Sequence, residues 1–216
     1  MKKTRTGAEA GSKISESTVR RLSQYLRLLH EAQANGEATL SSEELAERSG
    51  TTAAQVRKDL SFFGSFGKRG LGYSVPELRR QVEEILGLDR GWRVALVGAG
   101  KIGSALISYR NFRRMGFDIL AVFDSDPTKI GQPWGTQTIL PDAEMERVLG
   151  AERIDIVIVA VPADAAQAVL DRVVGSGVRA VLNFAPVRLR VPDGVAVRNV
   201  DMVVEMEGLT FALTNR

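Results

Sequence analysis

Apolar positions along this chain change period about half-way. In the first half, Val19, Leu22, Leu26 and Leu29 recur at helical spacing, with Arg20, Arg21 and Arg27 among them. Asn35-Gly36 marks the end of that helix. Ser41 followed by Glu44 is a capping box that starts a short second helix through Arg48. Ser49-Gly50-Thr51-Thr52 reads as a tight turn, and a third helix is expected from about Ala53 to Phe62. Helix, short glycine-containing turn, helix is the helix-turn-helix pattern. The segment Gly64 to Val75 alternates glycine with aromatic and apolar residues, which suits a hairpin with a glycine-rich tip carrying Lys68 and Arg69. Together these elements predict a winged helix. Pro76 opens another helix with Leu78, Val82, Ile85 and Leu86, and Gly87 to Gly91 reads as a domain boundary.

The second half is built from short, nearly continuous apolar runs: Val94–Val97, Ile119–Phe123, Ile154–Val161 and Ala180–Phe184. Helical patterns such as Met145, Val148 and Leu149 lie between them, which predicts a parallel sheet of the Rossmann kind. Val195 to Val200 adds a candidate last strand, and Met202 to Leu213 a terminal helix that Gly208 weakens. The fold class is therefore α/β, with four expected segments. They are a disordered basic arm over 1–17, a winged helix over 18–88, a Rossmann domain over 91–201 and a C-terminal helix over 202–216.

Composition narrows the chemistry. The chain lacks cysteine, which removes disulfides, thiolate metal sites and thiol redox sensing, and no metal site is expected. Its single histidine, His30, sits in a helical pattern and reads as a surface or packing residue. No apolar run approaches the roughly 20 residues of a membrane span, and the polar N-terminus has no apolar core of a secretory signal. A cytoplasmic protein is expected. The net charge of +3 matters less than its distribution.

The sharpest motif is G-A-G-K-I-G, Gly98-Ala99-Gly100-Lys101-Ile102-Gly103, after the strand R-V-A-L-V and at the start of a helix. Gly98 permits the tight turn, Gly100 the approach of a pyrophosphate, and Gly103 close packing of helix on strand. The helix N-terminus supplies free N–H groups and positive dipole to phosphates. Asp124 ends the next strand, at the distance where an acid bonds the adenosine ribose and repels a 2′-phosphate, favouring NAD(H) over NADP(H). A plain turn aspartate before Pro127 is the alternative. Lys129 and Ile130 are candidates to flank the adenine. Val161-Pro162 and Asn183-Phe184-Ala185-Pro186 lie at later strand ends, where a doubly wound sheet binds its ligand. A dehydrogenase also needs an acid or base beside the ring and a substrate domain. No histidine follows the glycine loop, and no substrate domain is visible. Tyr109 and Lys101, eight residues apart on one expected helix, stand about 12 Å apart and do not couple directly. A sensor is favoured over an enzyme, and no catalytic residue is assigned.

On the third helix Gln55, Arg57 and Lys58 suit base edges and phosphates of a major groove, and the Ser61 hydroxyl suits a phosphate. Lys68 and Arg69 suit an adjacent minor groove. From Gly50 to Arg80 six Lys/Arg face two Asp/Glu, so positive charge concentrates on this segment. A solvated charged face is the alternative.

The run A-A-Q-V-R-K-D-L-S-F-F-G-S-F-G-K-R-G-L-G-Y-S-V closely resembles the Rex family of redox-sensing transcriptional repressors. The likeness continues through L-V-G-A-G-K-I-G-S-A-L, F-D-S-D-P-T-K-I-G, L-N-F-A-P and N-V-D, from about Val19 to the end. It implies a homodimer that binds double-stranded, pseudo-palindromic operator DNA at low NADH and releases it as the NADH/NAD⁺ ratio rises. It also implies a C-terminal helix exchanged between subunits, and a switch in which Arg27 and Tyr109 alternate as partners of Asp201 from the other subunit. A nicotinamide pocket near Tyr109, Phe184 and Ala185 would then discriminate the two redox forms. Two features depart from the family: a longer basic arm with Lys2, Lys3, Arg5 and Lys13, and a short C-terminal helix. An NAD-dependent oxidoreductase, a CoA-binding regulator and a ligand-free scaffold are the competing readings.

Overall fold

The computed structural model describes residues 14–67, 71–109 and 111–215. The chain divides into two compact units, Met1–Arg90 and Gly91–Arg216.

The first unit begins with α1 (Glu16–Ala34), capped by the Ser15 hydroxyl on the Thr18 N–H. The last two residues of the expected arm, Glu16 and Ser17, are thus helical, while 1–13 lie outside the described residues. Leu22, Tyr25, Leu26, Leu29 and Ala32 form the buried stripe of α1. A short strand β1 (Thr39–Leu40) follows, then α2 (Ser42–Ser49) and α3 (Ala53–Ser61). The capping box closes as its spacing implies: the Ser41 N–H reaches Glu44 Oε2 at 2.7 Å, and the Glu44 N–H reaches Ser41 Oγ at 3.1 Å. Gly50 ends α2 in the left-handed conformation, φ +67°.

Strand β2 (Tyr73–Ser74) pairs antiparallel with β1, with Leu40 opposite Tyr73, and the tip of the expected hairpin, 68–70, lies outside the described residues. Long-range pairing across α2 and α3 buries Leu40 and Tyr73, a gain that local turn chemistry cannot reveal. Helix α4 (Val75–Leu86) then closes the unit, with a proline in its first turn and Val75, Leu78 and Val82 inward.

In the second unit the elements are β3 (Trp92–Val97), α5 (Lys101–Ile107), α6 (Asn111–Arg114) and β4 (Phe117–Asp124). They continue with β5 (Pro133–Trp134), β6 (Gln137–Pro141), α7 (Met145–Ala151) and β7 (Ile156–Val159). Last come α8 (Ala163–Gly175), β8 (Ala180–Asn183), β9 (Ala196–Asn199) and α9 (Met202–Thr214). The sheet order is β5-β6-β4-β3-β7-β8-β9. All pairings from β6 to β9 are parallel, and only β5 runs antiparallel to β6. Leaving β5 aside, this is the doubly wound order with its switch point between β3 and β7. One face of the sheet packs α7 and α8 through Met145, Leu149, Ala166, Leu170 and Val173. On the other, Val94, Leu96, Val122 and Ile158 pack with Leu106, Ile107 and Phe112.

Candidate functional site

The glycine loop leaves β3 at the switch point. Gly98 has φ +105°, and a Cβ there would overlap the carbonyl oxygen of Ala160 at the end of β7. A Cβ on Gly103, on the first turn of α5, would overlap the Gly98 carbonyl oxygen. Gly100 differs: a Cβ there meets nothing within 4 Å. The first and third glycines are therefore required by the protein's own packing. The second is spare space, as a loop receiving a pyrophosphate needs.

Asp124 closes the far side of the loop. Its Oδ2 accepts the Ala99 N–H at 2.8 Å and the Lys129 ammonium at 3.1 Å, and its Oδ1 accepts the Asp126 N–H at 2.9 Å. Burial pushes this carboxyl up. The Asp126 N–H, Lys129 and the Ala99 N–H more than offset that and hold it below its ordinary value, so it is ionised at neutral pH. A carboxylate offers roughly four acceptor positions, so one remains on Oδ1 for a ribose hydroxyl. Replacing it as Asp124→Ala removes both that acceptor and the tie to the loop. NADH affinity is expected to fall about tenfold or more, a charged hydrogen bond being worth roughly 1.5–3 kcal/mol. Unchanged binding in a calorimetric titration would remove Asp124 from the site.

Other predicted positions gather at the same sheet edge. Lys101 and Ile102 are exposed on the first turn of α5, and Ile130 is half-buried beyond Asp124. Val161 follows β7, and its Cγ1 lies among the atoms nearest Gly98. Pro162 caps α8. Phe184, half-buried, packs against the buried cluster that contains Leu96, Ala99 and Ile158. Asn183 is fully buried, and its amide turns inward: Nδ2 donates to the Ala185 carbonyl at 3.1 Å and to Asn199 Oδ1 at 2.9 Å, while Oδ1 accepts the Ala185 N–H at 3.0 Å. In this geometry Asn183 shapes the loop that carries Phe184 and Ala185. Tyr109 lies two residues beyond α5, not on it as expected, because the helix ends at Ile107. Its ring is about half exposed, edge-on to Phe112 at 5.3 Å, and its hydroxyl accepts from Asn111 Nδ2 at 2.9 Å.

Asp201 caps α9 through the Val203 N–H at 2.9 Å, and Arg27 is exposed on α1. Helix α9 exposes Met202, Val203, Val204, Met206, Leu209, Phe211 and Leu213. Gly208 does not interrupt it.

In the first unit α3 turns Val56, Asp59 and Leu60 inward and leaves Arg57, Lys58 and Ser61 exposed. Thr52 caps it through the Gln55 N–H at 3.1 Å. Arg57 Nη1 reaches Ser42 Oγ at 2.7 Å and Glu43 Oε1 at 3.0 Å on α2. The Ser61 hydroxyl donates to the Lys58 carbonyl at 2.7 Å. Lys68 and Arg69 lie outside the described residues. Sequence reasoning missed the partners of this helix: Glu43 for Arg57, and Arg21, Tyr25 and Gln55 around Asp59. An aspartate inside a short helix, with Arg and Tyr one turn apart on another, was the available signal.

A family model described as the putative DNA-binding protein N-terminus matches residues 13–61, and one described as a CoA binding domain matches 89–187. The redox-sensing transcriptional repressor Rex of Desulforamulus reducens is 49% identical over 201 residues, spanning 93% of this chain and 96% of that protein. Its counterpart from Carboxydothermus hydrogenoformans is 50% identical over 201 residues, spanning 93% and 97%. Among solved structures, RSP in complex with β-NADH has TM-score 0.86 at 35% identity, covering 94% of this chain and 95% of that one. RSP in complex with β-NAD⁺ and operator DNA has TM-score 0.89 at 37% identity, covering 94% and 93%. With these likenesses running through both units, the chain belongs to the redox-sensing transcriptional repressor Rex family.

Proposed function

We propose that this protein is a DNA-binding transcriptional repressor that senses the NADH/NAD⁺ ratio, held on operator DNA at low NADH and released when NADH binds. The observation that carries the reading is one chain with a helix-turn-helix in one unit and, in the other, a glycine loop at a Rossmann switch point tied to Asp124. The relatives named above are redox-sensing transcriptional repressors, and the solved neighbours hold β-NADH, or β-NAD⁺ with operator DNA. The repressor reading places the protein in the cytoplasm and requires no metal. Among the described residues, no helix is long and apolar enough to cross a membrane.

The two redox forms share phosphates and riboses, so contacts there bind both about equally and shift no equilibrium. Discrimination falls to the ring end, where Tyr109, Phe184 and Ala185 are the candidates. Gly98 to Gly103, Asp124, Lys129, Ile130, Val161 and Pro162 hold the shared part, and Asn183 supports the loop. Residues 18–88 read DNA, with Gln55, Arg57, Lys58, Ser61, Lys68 and Arg69 toward it. Residues 202–216 join a second copy.

The homodimer rests on α9. Apart from Glu205 and Glu207, α9 exposes apolar side chains around its circumference, and such a helix needs cover. The second unit also has an open apolar groove of about 290 Å³ lined by Ile119, Ile156, Leu182 and Ala196 of its sheet and by Phe112 of α6. Arg27, Tyr109 and the partner's Asp201 then form the switch, and its rotation changes the roughly 34–36 Å spacing of the two recognition helices.

Fluorescence anisotropy of a labelled palindromic duplex, titrated with NADH and separately with NAD⁺, tests the function. Release by NADH at concentrations where NAD⁺ does little is expected. Indifference to both would defeat the redox reading. The match to a CoA binding domain model favours a second reading, a CoA-responsive regulator, and release by CoA alone would establish it.

A further inference from the structure

Helix α3 carries a charge where a short helix normally carries an apolar residue. Asp59 is fully buried between Val56 and Leu60. Its Oδ2 accepts Arg21 Nε at 2.6 Å and the Tyr25 hydroxyl at 3.0 Å, and its Oδ1 accepts Arg21 Nη2 at 2.7 Å and Gln55 Nε2 at 2.8 Å. Burial alone would raise this carboxyl. Hydrogen bonds from Arg21, Gln55 and Tyr25 outweigh it and keep the group below its ordinary value.

Stability does not explain the arrangement, because a buried ion pair is often replaced by apolar residues without loss. Orientation does. Val56 and Leu60 set how deeply α3 sits, Arg57 ties its outer side to Ser42 and Glu43 of α2, and Asp59 adds the restraint on roll from the inward side. A two-pronged arginine on a carboxylate has planar, directional geometry that a roll breaks. Gln55 is held by the same carboxylate through one amide N–H. That leaves its carbonyl oxygen and second N–H, the pair that reads the N6/N7 edge of adenine, with their plane fixed.

We propose that Asp59 is a positioning residue for operator reading: Arg21 and Tyr25 of α1 hold it, and it fixes the roll of α3 and the amide plane of Gln55. The proposal rests on the reading above, in which α3 enters the major groove.

The test uses the full-length protein, a duplex enriched by it from a randomised pool, and a scrambled duplex of the same composition. In Arg21→Met/Asp59→Leu an apolar pair replaces the ionic one. Its melting temperature is expected to fall by the few degrees that leaving the buried Tyr25 hydroxyl without an acceptor costs, with cooperative melting kept and binding to the scrambled duplex little changed. Binding to the enriched duplex is expected to weaken about tenfold or more, the scale of one lost bidentate base contact. Parental selectivity in this folded variant would overturn the proposal. If the double variant does not melt cooperatively, Arg21→Lys decides, since it keeps the charge and loses the fork. Reduced selectivity at an unchanged melting temperature supports the proposal, and unchanged selectivity overturns it. Gln55→Leu separates the two levels. If it leaves selectivity intact, α3 does not read bases through Gln55 and the proposal fails, while the reading that α3 enters the major groove stands or falls separately, on whether Arg57→Ala and Lys58→Ala weaken binding to the enriched duplex. If it lowers selectivity while the Arg21 and Asp59 variants do not, only the positioning role fails.

Discussion

On the proposed α9 dimer, Leu209→Asp together with Phe211→Asp is expected to leave a monomer and to weaken operator binding by about a thousandfold, within the 10²–10⁴ that linked binding contributes. Both side chains are more than half exposed on α9 in the single chain, so the substitutions should not disturb its own core. Burying two carboxylates in an apolar interface without partners costs several kcal/mol each, more than a helix of this length recovers. A monomer presents one recognition helix, and the second half-site then no longer binds as an intramolecular event. Light scattering reads the mass and anisotropy the affinity. A variant that stays dimeric with parental affinity would remove α9 from the interface.

Gly98→Val is expected to abolish nucleotide binding and to destabilise the second unit by about 3 kcal/mol or more, through strain at a positive φ together with overlap on the strand beside it. The backbone there has φ +105°, and the added Cβ runs into the Ala160 carbonyl. Neither β3 nor β7 can retreat easily, because Val97 pairs with Val159 immediately before the turn. Gly100→Ala is the control. Its Cβ meets nothing in the chain, so folding should be unaffected. A fall in NADH affinity of about tenfold or more would then report the ligand's own approach to the loop. Thermal melting separates the two substitutions, and calorimetric titration reads the affinity. Wild-type affinity in Gly98→Val would contradict the packing argument; wild-type affinity in Gly100→Ala would move the pyrophosphate elsewhere.

Features legible in the sequence were those governed by near neighbours. Ser41 and Glu44 are three residues apart, so their reciprocal hydrogen bonds depend on one turn of helix alone. Buried apolar runs between helical patterns imply a parallel sheet, and the glycine loop follows one of them directly. The antiparallel hairpin of β5 and β6 escaped notice, because Pro133–Trp134 is two residues long and has no period to detect. The pairing of β2 with β1 escaped notice for the same kind of reason: β1 is a two-residue strand, separated from β2 by two helices.

Residue types at the site could be read without the structure, but not their present partners. Nothing near Arg57 in the chain announces Glu43, since the pair is set by how α2 crosses α3. Asn183 stands at a strand end where a ligand contact was expected, and only the structure shows its amide bonded to Ala185 and to Asn199 of β9. By itself the sequence determined the helix caps, the strand-loop-helix of the nucleotide site and the acid at the end of β4, because each depends on local spacing and backbone geometry. Tertiary structure alone decided which side chain holds Arg57 and how Asp59 is neutralised. Those are contacts between segments tens of residues apart, and their energies exist only once the chain has closed on itself.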